Sequence, residues 1–164
     1  MMNLRAALIL LGCSMAVVPS TYGSKADHKM VGAVEKITVD ELGFDYLARI
    51  DTGAATSSIH AYDIEVPGSD NDNMRKHIGM TVEFKTRNEN GQYRKHKSKI
   101  IRVSKIRNAQ GVERRYSIYL TLRLDEGRGY RRVKVNLRNR SKLGYKLLIG
   151  RNWLKGRYVV DVSK

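Results

Sequence analysis

The stretch YLARIDTGAATSSIHA, Tyr46 to Ala61, decides how this chain reads. A strand-like run, FDYLARI, leads straight into Asp51-Thr52-Gly53, so one carboxylate ends a hydrophobic strand and a sharply turning residue follows it. Taken alone, Asp-Thr-Gly is a good ordinary turn, because Asp caps local amides and Gly accepts positive φ. Chemistry asks for more. A lone carboxylate is a poor base and a worse acid at neutral pH. Two carboxylates held close together cannot both ionise, so the pair shares a proton and serves as base and acid at once. Asp51 is the single candidate in this chain, so its partner would come from a second copy.

Outward from that stretch, almost every segment is short, β-branched or aromatic, and bounded by turn residues. MVGAVEKITV alternates as a half-buried strand does, and SSIHAYDIEV reads as a strand or an extended pair closed by Pro67-Gly68 and SDNDN. IGMTVEFKT, the turn RNENG and QYRKHKSKIIRV give a hairpin signal, and SKIRNAQGVERRYSIYLTLRL repeats it with NAQG as its turn. RRVKVNL, YKLLIG and RYVVDV are strand-like, and GRNWLKG reads as one short helical turn. The expectation is a mostly β domain over residues 24–164, a closed barrel or sandwich-like barrel with one short C-terminal helix.

The 164 residues carry 31 Lys and Arg against 16 Asp and Glu, a net charge of +15. That excess calls for an acidic partner and says nothing about fold. Residues 1–23, MMNLRAALILLGCSMAVVPSTYG, have the form of an export signal: Arg5, an apolar run from Ala6 to Val18, then Pro19 and small residues. The run is shorter than the ~20 residues that a membrane-spanning helix needs. Cleavage after Gly23 gives an exported, periplasmic or envelope-associated protein. LLGC, Leu10 to Cys13, also resembles a lipoprotein lipobox, in which Cys13 would be acylated; only then would the membrane hold the chain. Cys13 is the sole cysteine, so no internal disulfide is expected.

Other chemistries find little support. The four histidines, His28, His60, His77 and His96, are scattered without zinc spacing. His60 follows Asp51 by nine positions, close enough to share its cleft, either as a packing residue or as a metal or substrate ligand. No GxxxxGK[ST], GxGxxG or GxSxG occurs. The basic run YRKHKSKIIR would suit nucleic acid, yet few aromatics accompany it and an export signal points elsewhere. No nucleic-acid partner is expected.

LARIDTGAATSSI resembles the active-site loop of aspartic proteases, and LLIGRNWL, Leu147 to Leu154, resembles the hydrophobic-glycine segment and short helix near the end of retroviral-type proteases. Over nearly the whole mature chain the sequence is similar to a bacterial family labelled ATP-dependent zinc proteases, retropepsin-like proteins associated with ribosomal-protein glutamate ligases. The label sits badly with these residues, which show an intact aspartic motif and neither a zinc nor an ATP motif. The resemblance implies a homodimeric aspartic endopeptidase that needs no cofactor. Asp51 would activate water, Thr52 would brace the paired loops, and Gly53 would permit the tight turn. Ala54 would lie beside the substrate backbone. Leu148, Ile149 and Gly150 would back the loop, with Arg151 and Asn152 opening the helix. The hairpin turning at Asn108 to Gly111 falls where retropepsins carry their flap, which makes Glu113, Arg115 and Tyr116 candidate substrate contacts. The substrate would be a peptide or protein, acidic if the basic surface is a guide. Two rivals remain on the same fold: a non-catalytic peptide-binding or envelope-anchoring module, and a zinc peptidase using Asp51 and His60.

Overall fold

The computed structural model describes residues 28–69, 73–108, 111–124 and 129–164. The export segment 1–23 and Cys13 lie outside the described residues. The chain is mostly β. Its strands are β1 (Lys29–Val31), β2 (Val34–Val39), β3 (Phe44–Ile50), β4 (Ser57–His60), β5 (Tyr62–Glu65), β6 (Thr81–Arg87), β7 (Tyr93–Lys99), β8 (Arg102–Asn108), β9 (Gly111–Leu124), β10 (Tyr130–Arg138), β11 (Leu147–Ile149) and β12 (Tyr158–Val160). A 3₁₀ turn, η1, covers Met74–His77, and one short helix, α1, covers Arg151–Leu154.

Both hairpins stand where the turn residues put them. β6 pairs antiparallel with β7 from Thr81↔Lys99 to Arg87↔Tyr93, and the turn between them uses Gly91 at φ 81. β8 pairs with β9 from Arg102↔Ser117 to Asn108↔Gly111. MVGAVEKITV, which reads as one strand, is two: β1 pairs with β12 and β2 with β3 and β9. Close contacts mark the break at Gly32. A Cβ at Gly32 would stand 2.8 Å from the Lys164 carbonyl oxygen, and the Gly32 amide donates to Glu35 Oε1 at 2.6 Å.

The larger sheet runs β10-β4-β11-β3-β2-β9-β8, and β9 also pairs with β10. In β3, Phe44, Tyr46, Ala48 and Ile50 turn inward, where they join Ile37, Ile59, Ile118, Leu120, Leu122, Val135, Leu147 and Ile149 in one core. Trp153 of α1 plugs one end of that core. Its Nε1 donates to the Leu122 carbonyl at 3.2 Å, and its ring stacks on Tyr158 at 4.2 Å. A smaller sheet, β5-β6-β7, flanks the first.

The register places the site. β11 runs parallel to β3, Leu148 opposite Arg49, and antiparallel to β4, Leu148 opposite Ser58. Two segments nearly a hundred residues apart therefore end side by side at Asp51 and Gly150.

Candidate active site

Asp51 leaves β3 with its amide donating to the Ile149 carbonyl at 2.9 Å, which extends the β3–β11 ladder by one bond. Its Oδ1 then accepts the amides of Gly53 at 2.9 Å and Ala54 at 3.1 Å, so the carboxylate closes its own turn. The turn engages one of the two carboxylate oxygens, and Asp51 is half-buried while Thr52 and Gly53 are exposed. Gly53 is there for a reason other than positive φ, since its backbone is not in the left-handed region. A Cβ at that position would crowd Asp51 Oδ1 at 3.2 Å.

The loop is fastened from behind by residues Gly150 to Asn152. Arg151 Nη1 donates to the carbonyls of Thr52 at 2.9 Å and Gly53 at 2.7 Å, and its amide donates to the Ala54 carbonyl at 2.8 Å. Asn152 Oδ1 accepts from the Ser57 amide and hydroxyl, while its Nδ2 donates to the Lys134 carbonyl. The Ser57 hydroxyl oxygen also accepts the Gly150 amide at 3.1 Å. Arg151 and Asn152 thus do more than open a helix: they hold the backbone of the Asp-Thr-Gly turn. Ser57 and Asn152 carry no signature of this role in the sequence beyond lying in the two matched segments.

Beside Asp51 opens a cavity of about 480 Å³ lined by Arg49, Thr52, Arg138, Arg140, Tyr145 and Leu148 among others. Arg140 is 4% exposed, and no carboxylate pairs with it among the described residues. Burial, then the charges of Arg138 and Arg115, pushes its guanidinium down to about 10, against the pull of Asp51 and Glu89. It remains a cation at neutral pH. The sequence motifs gave no hint of Arg138, which ends β10, or of Arg140, in the segment between β10 and β11.

The flap-position residues divide. Arg115 is buried on β9 and ion-paired with Glu113 at 2.5 Å, with its Nε left without a partner among the described residues. The Arg115 guanidinium, and then Arg138, hold the Glu113 carboxyl below the usual carboxylate range. Tyr116 points the other way, as the next residue of a strand must. Its hydroxyl bonds His77 Nδ1 at 2.5 Å, and His77 Nε2 bonds the Ser69 hydroxyl. The structure therefore groups Asp51 to Ala54 in one loop and Glu113 with Arg115 on the hairpin, and turns Tyr116 toward η1.

His60 lies on β4, with β11 between it and β3. It is 2% exposed, its Nδ1 accepts the Arg140 amide at 3.0 Å, and its ring stacks on Tyr62. No group of three or more His, Cys, Asp or Glu side chains able to hold a metal ion occurs among the described residues, so the donor set here does not fit a zinc ion. Burial, then Lys146, Arg87 and Arg140, holds His60 below its ordinary 6.5, with Glu89 opposing. A lowered folded value means that the unfolded chain takes up the proton first. The stability His60 contributes is complete above about pH 6.5 and is lost as pH falls through its folded value. Thermal melts from pH 8 to pH 4 are expected to show a fall beginning below that point, and His60→Asn is expected to flatten it.

Residues 30–164 match the family model of the retropepsin-like aspartic endopeptidase RimB, and the chain belongs to this RimB-like family. It is 34% identical over 137 residues to a protein of Parasynechococcus marenigrum named a probable alpha-L-glutamate ligase, which covers 80% of this chain and 28% of that protein. A protein of the same name from Shewanella halifaxensis is 30% identical over 145 residues, covering 85% of this chain and 30% of the relative. The chain thus spans less than a third of the length of these curated relatives. A crystallised protein of unknown function from Legionella pneumophila has the same fold, with a TM-score of 0.64 and 27% identity over 83% of this chain and 95% of the other.

Proposed function

We propose that this chain is an exported aspartic endopeptidase whose site is completed when two copies bring their Asp51 side chains together, and that it cleaves acidic peptide segments. The carrying observation is the Asp51 turn. A carboxylate is fixed by its own backbone through one oxygen, backed by the β11–α1 segment, and opens on a cavity lined with arginines. Export rests on residues 1–23 of the sequence alone. The closed-barrel reading of the fold is supported by the pairings, which pass from β10 through β4, β11, β3, β2 and β9 back to β10.

In this mechanism one Asp51 carboxylate takes a proton from a water molecule while the protonated partner gives one to the scissile carbonyl oxygen. No covalent intermediate forms. Water adds to the carbonyl carbon, and the resulting diol collapses with proton transfer to the leaving amine. Thr52 and Gly53 present their carbonyls to Arg151 and so cannot swing away as the carboxylates change charge.

The acidic preference follows from the cavity wall. A guanidinium that is 4% exposed and has no ionic partner among the described residues is costly to bury, and a substrate carboxylate would relieve that cost. The preference agrees in chemistry with relatives whose name concerns glutamate. Arg140→Ala is expected to raise KM for a glutamate-rich peptide by about 10- to 100-fold, the range of a lost hydrogen bond to a charged group, with a neutral peptide little affected. Equal loss on both peptides would remove Arg140 from substrate recognition.

A further inference from the structure

The segment from Arg138 to Lys146 supplies five of the residues that line the Asp51 cavity, yet it contains no helix or strand beyond the end of β10. Such a segment needs fastening to hold a buried cation in one place. Lys146 fastens it from within: its ammonium donates to the carbonyls of Arg140 at 3.3 Å, Ser141 at 2.9 Å and Leu143 at 2.7 Å. His60 of β4 and the adjoining Ala61 fasten it at three further points. The His60 amide donates to the Lys146 carbonyl at 2.7 Å, the Ala61 amide donates to the Arg138 carbonyl at 2.9 Å, and the Arg140 amide donates to His60 Nδ1 at 3.0 Å.

The last bond alone depends on a side chain of β4, and it acts on a residue that lines the cavity beside Asp51. We propose that His60 is a positioning residue for substrate recognition: its Nδ1 fixes the Arg140 backbone so that the Arg140 side chain projects into the cavity beside Asp51. This rests on the acidic-peptide reading above for its effect on turnover, though not for its effect on the loop. With its backbone amide held by His60, Arg140 also donates Nε to the Tyr145 carbonyl at 3.0 Å, a second tie to the same segment. Nδ1 accepts from a backbone N–H, so His60 is the tautomer protonated on Nε2. The charged groups around the ring are Lys146, Arg87 and Arg140, opposed by Glu89, and Tyr62 covers its face.

Three replacements separate this role from simple packing. Asn places its carboxamide oxygen the same two bonds from Cβ as Nδ1, Gln places it one bond too far, and Leu offers no acceptor. Amide hydrogen exchange at Arg140, measured by NMR on the full chain at pH 7.5, is expected to stay protected in His60→Asn and to become fast in His60→Gln and His60→Leu. With a glutamate-rich peptide, His60→Gln and His60→Leu are expected to raise KM about 10-fold with kcat within about twofold, and His60→Asn to restore KM. The double variant His60→Leu with Arg140→Ala is expected to be no worse than Arg140→Ala, since both remove one interaction. Protection of the Arg140 amide in all three variants, or equal impairment of Asn and Gln, or additive losses in the double variant, would overturn the proposal. Should His60→Leu not fold, the Asn and Gln pair decides it. Should the native chain cleave no acidic peptide, the functional reading fails, and the exchange measurement still settles whether His60 holds Arg140.

Discussion

Asp51→Asn is expected to leave the chain folded and to remove the proposed peptidase activity, with kcat/KM falling by at least about 100- to 10,000-fold, the range of a lost general acid–base group. The fold survives because the turn uses only Oδ1 of Asp51, as acceptor from the Gly53 and Ala54 amides, and an asparagine oxygen can do the same. The Ile149 carbonyl keeps its bond to the backbone amide whichever side chain stands there. What Asn cannot do is hold the shared proton. An unchanged melting temperature together with lost turnover on an acidic peptide is the expected pair of measurements. Retained turnover in the purified variant would remove Asp51 from the chemistry and with it the aspartic mechanism.

Gly150→Ala is expected to have the largest effect on stability of any single methyl added near the site. The φ of Gly150, −100°, suits any residue, so the objection is one of space. A Cβ there would stand 2.7 Å from the Thr56 carbonyl carbon, 2.8 Å from the Ala54 oxygen and 3.0 Å from the Ser57 nitrogen. All three are backbone atoms, which cannot rotate aside. Forcing them apart costs about 1–3 kcal/mol, or a fall in Tm of roughly 3–10 °C. The same displacement carries the Asp51 turn off its Arg151 clamp, so activity is expected to fall further than stability. Gly144 provides the comparison, because nothing lies within 4 Å of an added Cβ there. Gly144→Ala is expected to melt within about 0.5 kcal/mol of the native chain. If both variants melt alike, the tight contact between β11 and the Asp51 turn is not what holds the loop.

Much of this was legible in the sequence because the period of a half-buried strand is visible wherever one face meets the core. FDYLARI alternates, and in the structure Phe44, Tyr46, Ala48 and Ile50 do point inward. RNENG and NAQG mark their hairpins through residues that tolerate a turn. The turn at Asp51 was legible for a different reason: Asp caps local amides, and in the structure Asp51 Oδ1 accepts those of Gly53 and Ala54. The pairing of the Asp51 turn with Gly150 came through resemblance, since nothing in local pattern says that β11 lies beside β3. Arg140 was hidden because a buried arginine reads as a surface charge until the loop that covers it is known, and half-buried Arg138 because nothing local says that it lines a cavity. The break at Gly32 escaped because the neighbour that crowds it, Lys164, is remote from it in sequence. Gly53 was expected to serve through positive φ and serves through its lack of a Cβ beside Asp51 Oδ1.

The central claim is that one active site takes an Asp51 from each of two copies, and mixing tests it. Native chain and Asp51→Asn chain are combined in equal amounts at fixed total concentration, exchanged to equilibrium, and assayed on a glutamate-rich peptide. If every site needs two aspartates, only native pairs turn over, and activity falls to about a quarter of that of the all-native sample. Activity at about half, tracking the native chain alone, would show that one copy suffices and would contradict the paired site.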